Sequence, residues 1–398
     1  MSDPIKDFRH IPVSELALKL AGRKDIDVAD TLQQVDGWQR MREKVPSWAA
    51  VDGLRYPHRL ALEQCSGEAA ARYKAEVVQR LMAHSPAPTS MADLTGGFGV
   101  DFSFVARTFS RATYVERQES LCALARHNFP LLGLTQAEVV CADGVDHLRT
   151  MAPVDLLFLD PARRDSQGRK TVLIEDCEPD VCALLPRLLE KARFVVLKLS
   201  TMLDIAGALR SLRCVREVHV VAAGGEAKDL LLVIERGWDA EPTVCVNESG
   251  CTFRFTYGEE AAAQPAFAEG ADLGRYLYEP GAATLKAGAF KLIATRFSLK
   301  KLHPNSHLYT ASELRDGFPG RTFCVEHVLG FGKRDVKALH ELTDSANLTV
   351  RNFPSTVAAL RKKLKLREGG RFYLFATTLA DGSHALLVCT KPTETNPS

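Results

Sequence analysis

The chain has 398 residues, too many for one ordinary apolar core, so two or three domains are expected. Its 46% hydrophobic and 25% charged residues and a mean hydropathy near zero describe a soluble globular protein, and no run of eighteen apolar residues marks a membrane span. The net charge of +2 is unevenly spread. From Lys286 onward there are 18 Lys and Arg against 9 Asp and Glu, which points to a polyanionic partner for that part or to a solvated basic face.

The N-terminal run Met1-Ser2-Asp3-Pro4-Ile5-Lys6-Asp7 has acids and no apolar stretch, so no secretory signal and a cytoplasmic setting are expected. The ten cysteines are scattered without a C-x2-C pair, so reduced thiols and no metal are expected. Residues 1–88 read as a helical region, with Leu60, Cys65, Ala69, Tyr73 and Val77 near helical spacing. His84-Ser85-Pro86-Ala87-Pro88 then breaks the pattern and reads as a hinge.

Residues 89–237 change to short β-branched runs alternating with helices. Strands are expected at 90–93, 112–116, 137–141, 154–159, 194–199, 215–222 and 229–235, a doubly wound α/β sheet of seven strands. The last two are joined by Gly224-Gly225-Glu226, which leaves room only for a hairpin. Residues 238–275 read as a loose linker or insertion with a possible hairpin over 250–257. Residues 276–324 and 325–398 read as two small α+β modules. The second has strands at 322–328, 348–351, 372–378 and 384–389 and helices at 335–342 and 355–366, the latter capped by Ser355.

Asp93-Leu94-Thr95-Gly96-Gly97-Phe98-Gly99 follows the first strand and opens a helix near Val100. Glycines there let a ligand approach the backbone, and helix N-terminal amides favour an anion. A G-x-G-x-x-G dinucleotide turn is not matched, because Phe102 stands at the third glycine. Three further acids each close a later strand: Glu116 after Tyr114-Val115, Asp143 before Gly144, and Asp160 before Pro161. One such acid is commonly a helix cap. Four in register at carboxyl strand ends face the crevice where such sheets bind nucleosides.

The run Asp93 to Gly99, the helix end Ala125-Arg126-His127-Asn128, Gly133-Leu134 and Ala142-Asp143 resemble class I methyltransferases that modify RNA, in particular the trimethylguanosine-synthase and guanine-N2 branch. Glu63-Gln64-Cys65-Ser66, Asp160-Pro161-Ala162-Arg163-Arg164-Asp165, Tyr276-Leu277-Tyr278-Glu279-Pro280 and Arg351-Asn352-Phe353-Pro354 resemble a bacterial family that joins this domain to a THUMP-like C-terminal module. The resemblance implies a Rossmann-like seven-stranded methyltransferase sheet followed by ferredoxin-like and THUMP-like α+β modules. It implies S-adenosylmethionine as cofactor, held by Asp93, Thr95, Gly96, Gly97, Gly99, Glu116, Asp143, Gly144 and Asp160.

N-methyltransferases place an Asp/Asn-Pro-Pro-aromatic turn after the fourth strand. This chain keeps the acid and the first proline but has Ala162 and Arg163 in the last two places. Asp160 is expected to accept from the target N–H, with Arg163 or Arg164 stacking on a base or holding a phosphate; a surface pair bonded to Asp165 or Glu175 is the alternative. Uracil-C5 enzymes use a cysteine just after the fifth strand, and Lys198-Leu199-Ser200-Thr201-Met202 has none. Lys198 is expected to touch substrate or to pair with Asp160 or Asp204.

In the basic C-terminal part, Arg351, Arg361, Lys362 and Lys365 are expected to hold an RNA backbone. Phe353, Phe372, Tyr373 and Phe375 are expected in the core. An RNA base methyltransferase acting on tRNA or rRNA is the expected function. An RNA-binding protein with a vestigial methyltransferase fold, or a methyltransferase of small molecules or proteins, are the alternatives. Oligomeric state is not readable from sequence.

Overall fold

The computed structural model of the protein describes residues 4–392 apart from 84, 87–88, 164–172, 249 and 270–272. The chain divides into two compact units, Met1–Val218 with Lys228–Pro242, and His219–Ala227 with Thr243–Ser398.

The first unit opens with helices. Asp27 caps Val28–Lys44 by accepting from the Asp30 amide at 3.0 Å, and Pro46 starts Pro46–Ala49, where its missing N–H leaves nothing unpaired. Trp38, Met41, Trp48 and Tyr56 from this segment share one apolar core with Phe98, Phe102, Tyr114 and Phe129. Trp48 meets Phe98 edge-on with ring centroids 5.0 Å apart. The helices expected as a region of their own are thus one side of the core beneath the sheet. Of the expected hinge, His84, Ala87 and Pro88 lie outside the described residues.

The sheet is built from β1 (Ser90–Asp93), β2 (Arg111–Glu116), β3 (Ala137–Cys141), β4 (Val154–Leu159), β5 (Ala192–Leu199), β6 (Val215–Ala223) and β7 (Glu226–Glu235). These seven belong to a sheet of nine strands and follow the order β3-β2-β1-β4-β5-β7-β6 within it, two more than the seven expected. The first five strands are parallel, and β7 runs antiparallel to β5. The long apolar runs of β4, β5 and β7 are buried, as strands covered on both faces require. The strand order reverses between β1 and β4, so ligand-binding groups belong at the carboxyl ends of these strands.

The second unit holds an antiparallel hairpin of β8 (Thr243–Glu248) and β9 (Cys251–Phe255), then the helix Tyr257–Ala262. That helix carries a capping box in which Thr256 accepts from the Glu259 amide and Glu259 accepts from the Thr256 amide. The expected loose linker over 238–275 is therefore largely ordered, and the hairpin begins seven residues before the expected one.

A seven-stranded sheet follows, from β10 (Tyr276–Pro280), β11 (Lys300–Lys301), β12 (Tyr309–Ala311), β13 (Gly320–Leu329), β14 (Asn347–Arg351), β15 (Tyr373–Thr378) and β16 (His384–Thr390), in the order β11-β12-β10-β13-β16-β15-β14. Both small modules contribute to this one sheet, and β13, the strand expected at 322–328, spans the boundary expected at 324/325, with a bulge between Val325 and His327. β14 and β15 are parallel, and between them lies the helix Val357–Leu364. Its cap is Thr356 rather than Ser355: the Thr356 hydroxyl accepts from the Ala359 amide at 3.2 Å. Phe372 and Phe375 are buried and Phe353 and Tyr373 pack against the same cores, as expected. No helix among the described residues is long and apolar enough to cross a membrane.

Candidate functional site

The turn after β1 is shaped by what its glycines leave out. A Cβ at Gly96 would enter the Tyr114 ring, and Gly99 sits at φ 84°, against the Phe129 ring. The Gly97 amide donates to Glu116 Oε2 at 2.9 Å, and the Tyr114 hydroxyl donates to the Gly97 carbonyl. The loop is thereby fastened to the end of β2 with its peptide groups bare of side chains. At Gly144 a Cβ would strike the Leu94 carbonyl, so the turn after β3 closes on the same loop.

Asp93, Glu116, Asp143 and Asp160 all line one cavity of about 1580 Å³, together with Thr95, Gly96, Gly97, Gly99, Gly144 and Lys198. Glu116 accepts from the Gly97 and Gln118 amides, one on each oxygen, so half of its four acceptor positions remain for hydroxyls. Asp143 does cap a helix, accepting from the Val145 and Asp146 amides on Oδ1. The capping role and the place on the cavity wall coexist. Asp160 is linked back to β1: its amide donates to Thr95 Oγ1 at 2.6 Å, and Thr95 N donates to Asp93 Oδ1 at 2.9 Å.

Behind these acids lies a charged network that sequence reading missed. Lys74, from the helix Glu68–Met82, has a side chain 0% exposed, with Nζ 2.8 Å from both Asp101 Oδ1 and Asp229 Oδ2 and 2.6 Å from Ser66 Oγ. Ser66 in turn donates to Asp101 Oδ2 at 2.7 Å. Lys198 Nζ lies 3.6 Å from Asp101 and in contact with Asp160. Of the two partners expected for Lys198, Asp160 is the observed one; Asp204 caps its own helix.

Burial opposes the charge on Lys198, yet Asp160, Asp101 and Asp229 overcome it and hold the ammonium well above its ordinary range. Asp160 shifts upward through desolvation, against the pull of Lys198, although its side chain is 41% exposed to the cavity. Asp101 is held below the usual carboxylate range: burial pushes it up, and Lys74 and Lys198 outweigh that. Three acids against two ammonium groups leave an excess of negative charge. The only hint in sequence was Ser66 at the end of a family string; a lysine on a helical pattern looks like any solvated one.

Two cysteines also line the cavity, Cys65 and Cys177, from segments far from the fifth strand. Burial pushes the Cys65 thiol up, and it donates to the Leu62 carbonyl, so it is not a thiolate. Next to Glu116, whose carbonyl accepts from Cys122 Sγ, ligand atoms of Glu119, Cys122 and Cys141 lie within 4.8 Å of one another, with Glu119 also paired to Arg126 at 2.7 Å. The Arg163 backbone pairs with Cys177 in a short bridge. Arg164, and the side chain of Arg163, lie outside the described residues.

In the second unit, Arg351 donates to Glu279 Oε1 through Nε and Nη2, at 3.1 and 2.8 Å. Arg361 Nη1 donates to the Ala346 and Arg367 carbonyls, both at 3.1 Å, which ties the helix end to the strand β14. Lys362 and Lys365 are exposed.

Comparison with known proteins agrees with this geometry. Residues 276–319 match a ferredoxin-like domain family and residues 320–391 a THUMP domain-like family. A search of curated proteins found no match. The crystal structure of a candidate methyltransferase from Porphyromonas gingivalis W83 is 36% identical, covers 98% of this chain and 96% of its own, and has a TM-score of 0.86. This chain belongs to that family, class I methyltransferases with a C-terminal THUMP-like domain.

Weaker likenesses to this methyltransferase-family chain include a candidate RNA methyltransferase from Pyrococcus horikoshii, with 15% identity over 49% of this chain and 98% of its own and a TM-score of 0.33. Another is M. capricolum TrmK in complex with S-adenosyl-homocysteine, with 12% identity over 42% and 68% and a TM-score of 0.31.

Proposed function

We propose that this protein transfers a methyl group from S-adenosylmethionine to a base nitrogen in RNA, tRNA or rRNA, and that the second unit holds the RNA. The observation that carries the reading is the convergence of four strand-end carboxylates and a bare glycine turn on one cavity. The residues fit the cofactor. Gly96 and Gly97 leave room for close approach to the backbone, Glu116 keeps acceptor capacity for a ribose, and Asp143, with only Oδ1 bonded to its helix, keeps Oδ2 for an adenine amino group. When bound, the sulfonium supplies an already activated methyl group, so the protein's part is alignment and exclusion of water.

Asp160 presents an acceptor to the target N–H, and Lys198 fixes its orientation from behind. Leu94, Phe158, Leu159 and Pro161 supply apolar walls beside it. A nitrogen target suits this arrangement better than a ring carbon, since no cysteine follows the fifth strand at 198–202 and, of the two cysteines on the cavity, Cys65 is held as a thiol.

Calorimetry with S-adenosylmethionine and S-adenosylhomocysteine tests the first half. Asp160→Ala should lose methyl transfer by a far larger factor than it weakens cofactor binding. Mass spectrometry of nucleosides from cells with and without the protein should show one methylated nucleoside missing. Absence of all cofactor binding would leave an RNA-binding protein with a vestigial fold. Cofactor binding with no RNA affinity would leave a methyltransferase of small molecules or proteins.

A further inference from the structure

Two of the strings that mark this family, Tyr276 to Pro280 and Arg351 to Pro354, play no part in the cavity of the first unit. They meet in the second unit, at Glu279. This carboxylate is 2% exposed and sits on β10, directly across from Arg321 on β13. Arg321 Nε donates to Oε2 at 3.0 Å, and Arg351, at the end of β14, donates to Oε1 through two nitrogens. Each guanidinium thus spends its Nε and one Nη2 hydrogen on a single carboxylate oxygen. Three of the five N–H groups of each arginine remain.

A buried carboxylate needs one arginine to balance its charge, and a bidentate pair would satisfy it. Here there are two, so the group as a whole carries +1. The acid is hidden while its partners are not: the Arg321 and Arg351 side chains are 56% and 39% exposed. The positive field extends further. Burial, and then Lys301 and Arg351, push the His307 imidazole down to about 4, so it stays neutral at ordinary pH beside this cluster. The Arg321 guanidinium also stacks over the Phe323 ring, 5.4 Å from its centroid, which restricts its rotamers. Two forks fixed by one buried acid, with spare donors and an uncompensated charge, form a pre-organised receptor for a tetrahedral oxyanion.

We propose that Arg321 and Arg351, held by Glu279, form a phosphate-binding site. It deepens the RNA reading above and rests on it only for the source of the phosphate, a backbone phosphodiester or a free phosphate. Glu279 is a positioning residue and touches no ligand.

The test uses the full chain, a fluorescein-labelled single-stranded oligouridylate and inorganic phosphate. Arg321→Gln and Arg351→Gln each leave one arginine on Glu279, so the buried acid stays balanced, and melting temperature checks the fold. Each should weaken oligouridylate binding several-fold and reduce the slope of log K against log salt by about 0.7, the value of one single-strand phosphate contact. Arg321→Lys should keep the slope and still lose affinity, because an ammonium keeps the charge without the fork. Saturable binding of inorganic phosphate that the glutamine variants abolish, with no oligouridylate binding, would identify a free phosphate as the ligand. Affinity and slope unchanged in both glutamine variants, with phosphate binding absent, overturn the site. Cofactor binding in the first unit is measured separately, so its failure would remove the methyl-donor reading and leave this one standing.

Discussion

Asp93 is the buried carboxylate on which the glycine turn is hung, and its protonation is set by its surroundings. Burial first, then the neighbouring charges of Asp101 and Asp160, push it up to about 7 against the hydrogen bonds from Thr95. In the unfolded chain it titrates near 4. The folded state therefore holds the proton more tightly, and the stability this brings is complete below about pH 4 and lost as pH rises through about 7. Asp93→Asn has no such loss. Its stability relative to wild type should grow from almost nothing at pH 4 to about 2–4 kcal/mol at pH 8, measured by urea denaturation across that range. A difference that stays flat with pH would show that Asp93 is not protonated in the fold. Sequence reading placed this residue at the cofactor site and could not foresee its pKa, because Asp101 and Asp160 reach it only through the fold. The same holds for Lys74. Its three partners come from positions 66, 101 and 229, and no local pattern joins them.

At the scale of elements, strands were the most legible feature. The runs expected at 90–93, 137–141 and 154–159 form strands with those bounds; the first and last are mostly buried parallel strands, short, apolar and punctuated by turns, and 137–141 is the partly exposed edge strand. The segment 238–275 was less so, having few large apolar residues. Its signal nonetheless stands in the sequence as Thr256 followed three residues later by Glu259. That capping box matters beyond one short helix, because Glu260 on the next position accepts from the Phe290, Lys291 and Leu292 amides. Thr256→Ala should cost about 1 kcal/mol. Hydrogen exchange at Phe290 to Leu292 should quicken with it, whereas exchange confined to the capped helix would show that the two segments are not coupled. Arg361 shows the opposite limit. A basic residue on an amphipathic helix looks like a phosphate contact in sequence, yet two backbone carbonyls claim its guanidinium.

At the scale of the molecule, the N-terminal helices belong to the sheet they precede. Trp48 is 2% exposed, packs on Phe98 and donates to Ser103 Oγ, so its ring is part of the floor beneath the glycine turn. Trp48→Ala should cost about 3–5 kcal/mol. Exchange of the β1 and β2 amides should accelerate together with that of Val28–Lys44, and protection of the strands in the absence of helix protection would mean two independent cores. The sequence by itself determined the alternating strands and helices of the doubly wound sheet and the four carboxylates at its strand ends. These follow from local periodicity and from the rule that parallel strands end on one edge. Only the tertiary structure decided that a buried lysine from the N-terminal helices stands behind Asp160, and that Arg351 shares Glu279 with Arg321. Those pairings join residues far apart in the chain, and a charge reveals its partner only when folding removes the water between them.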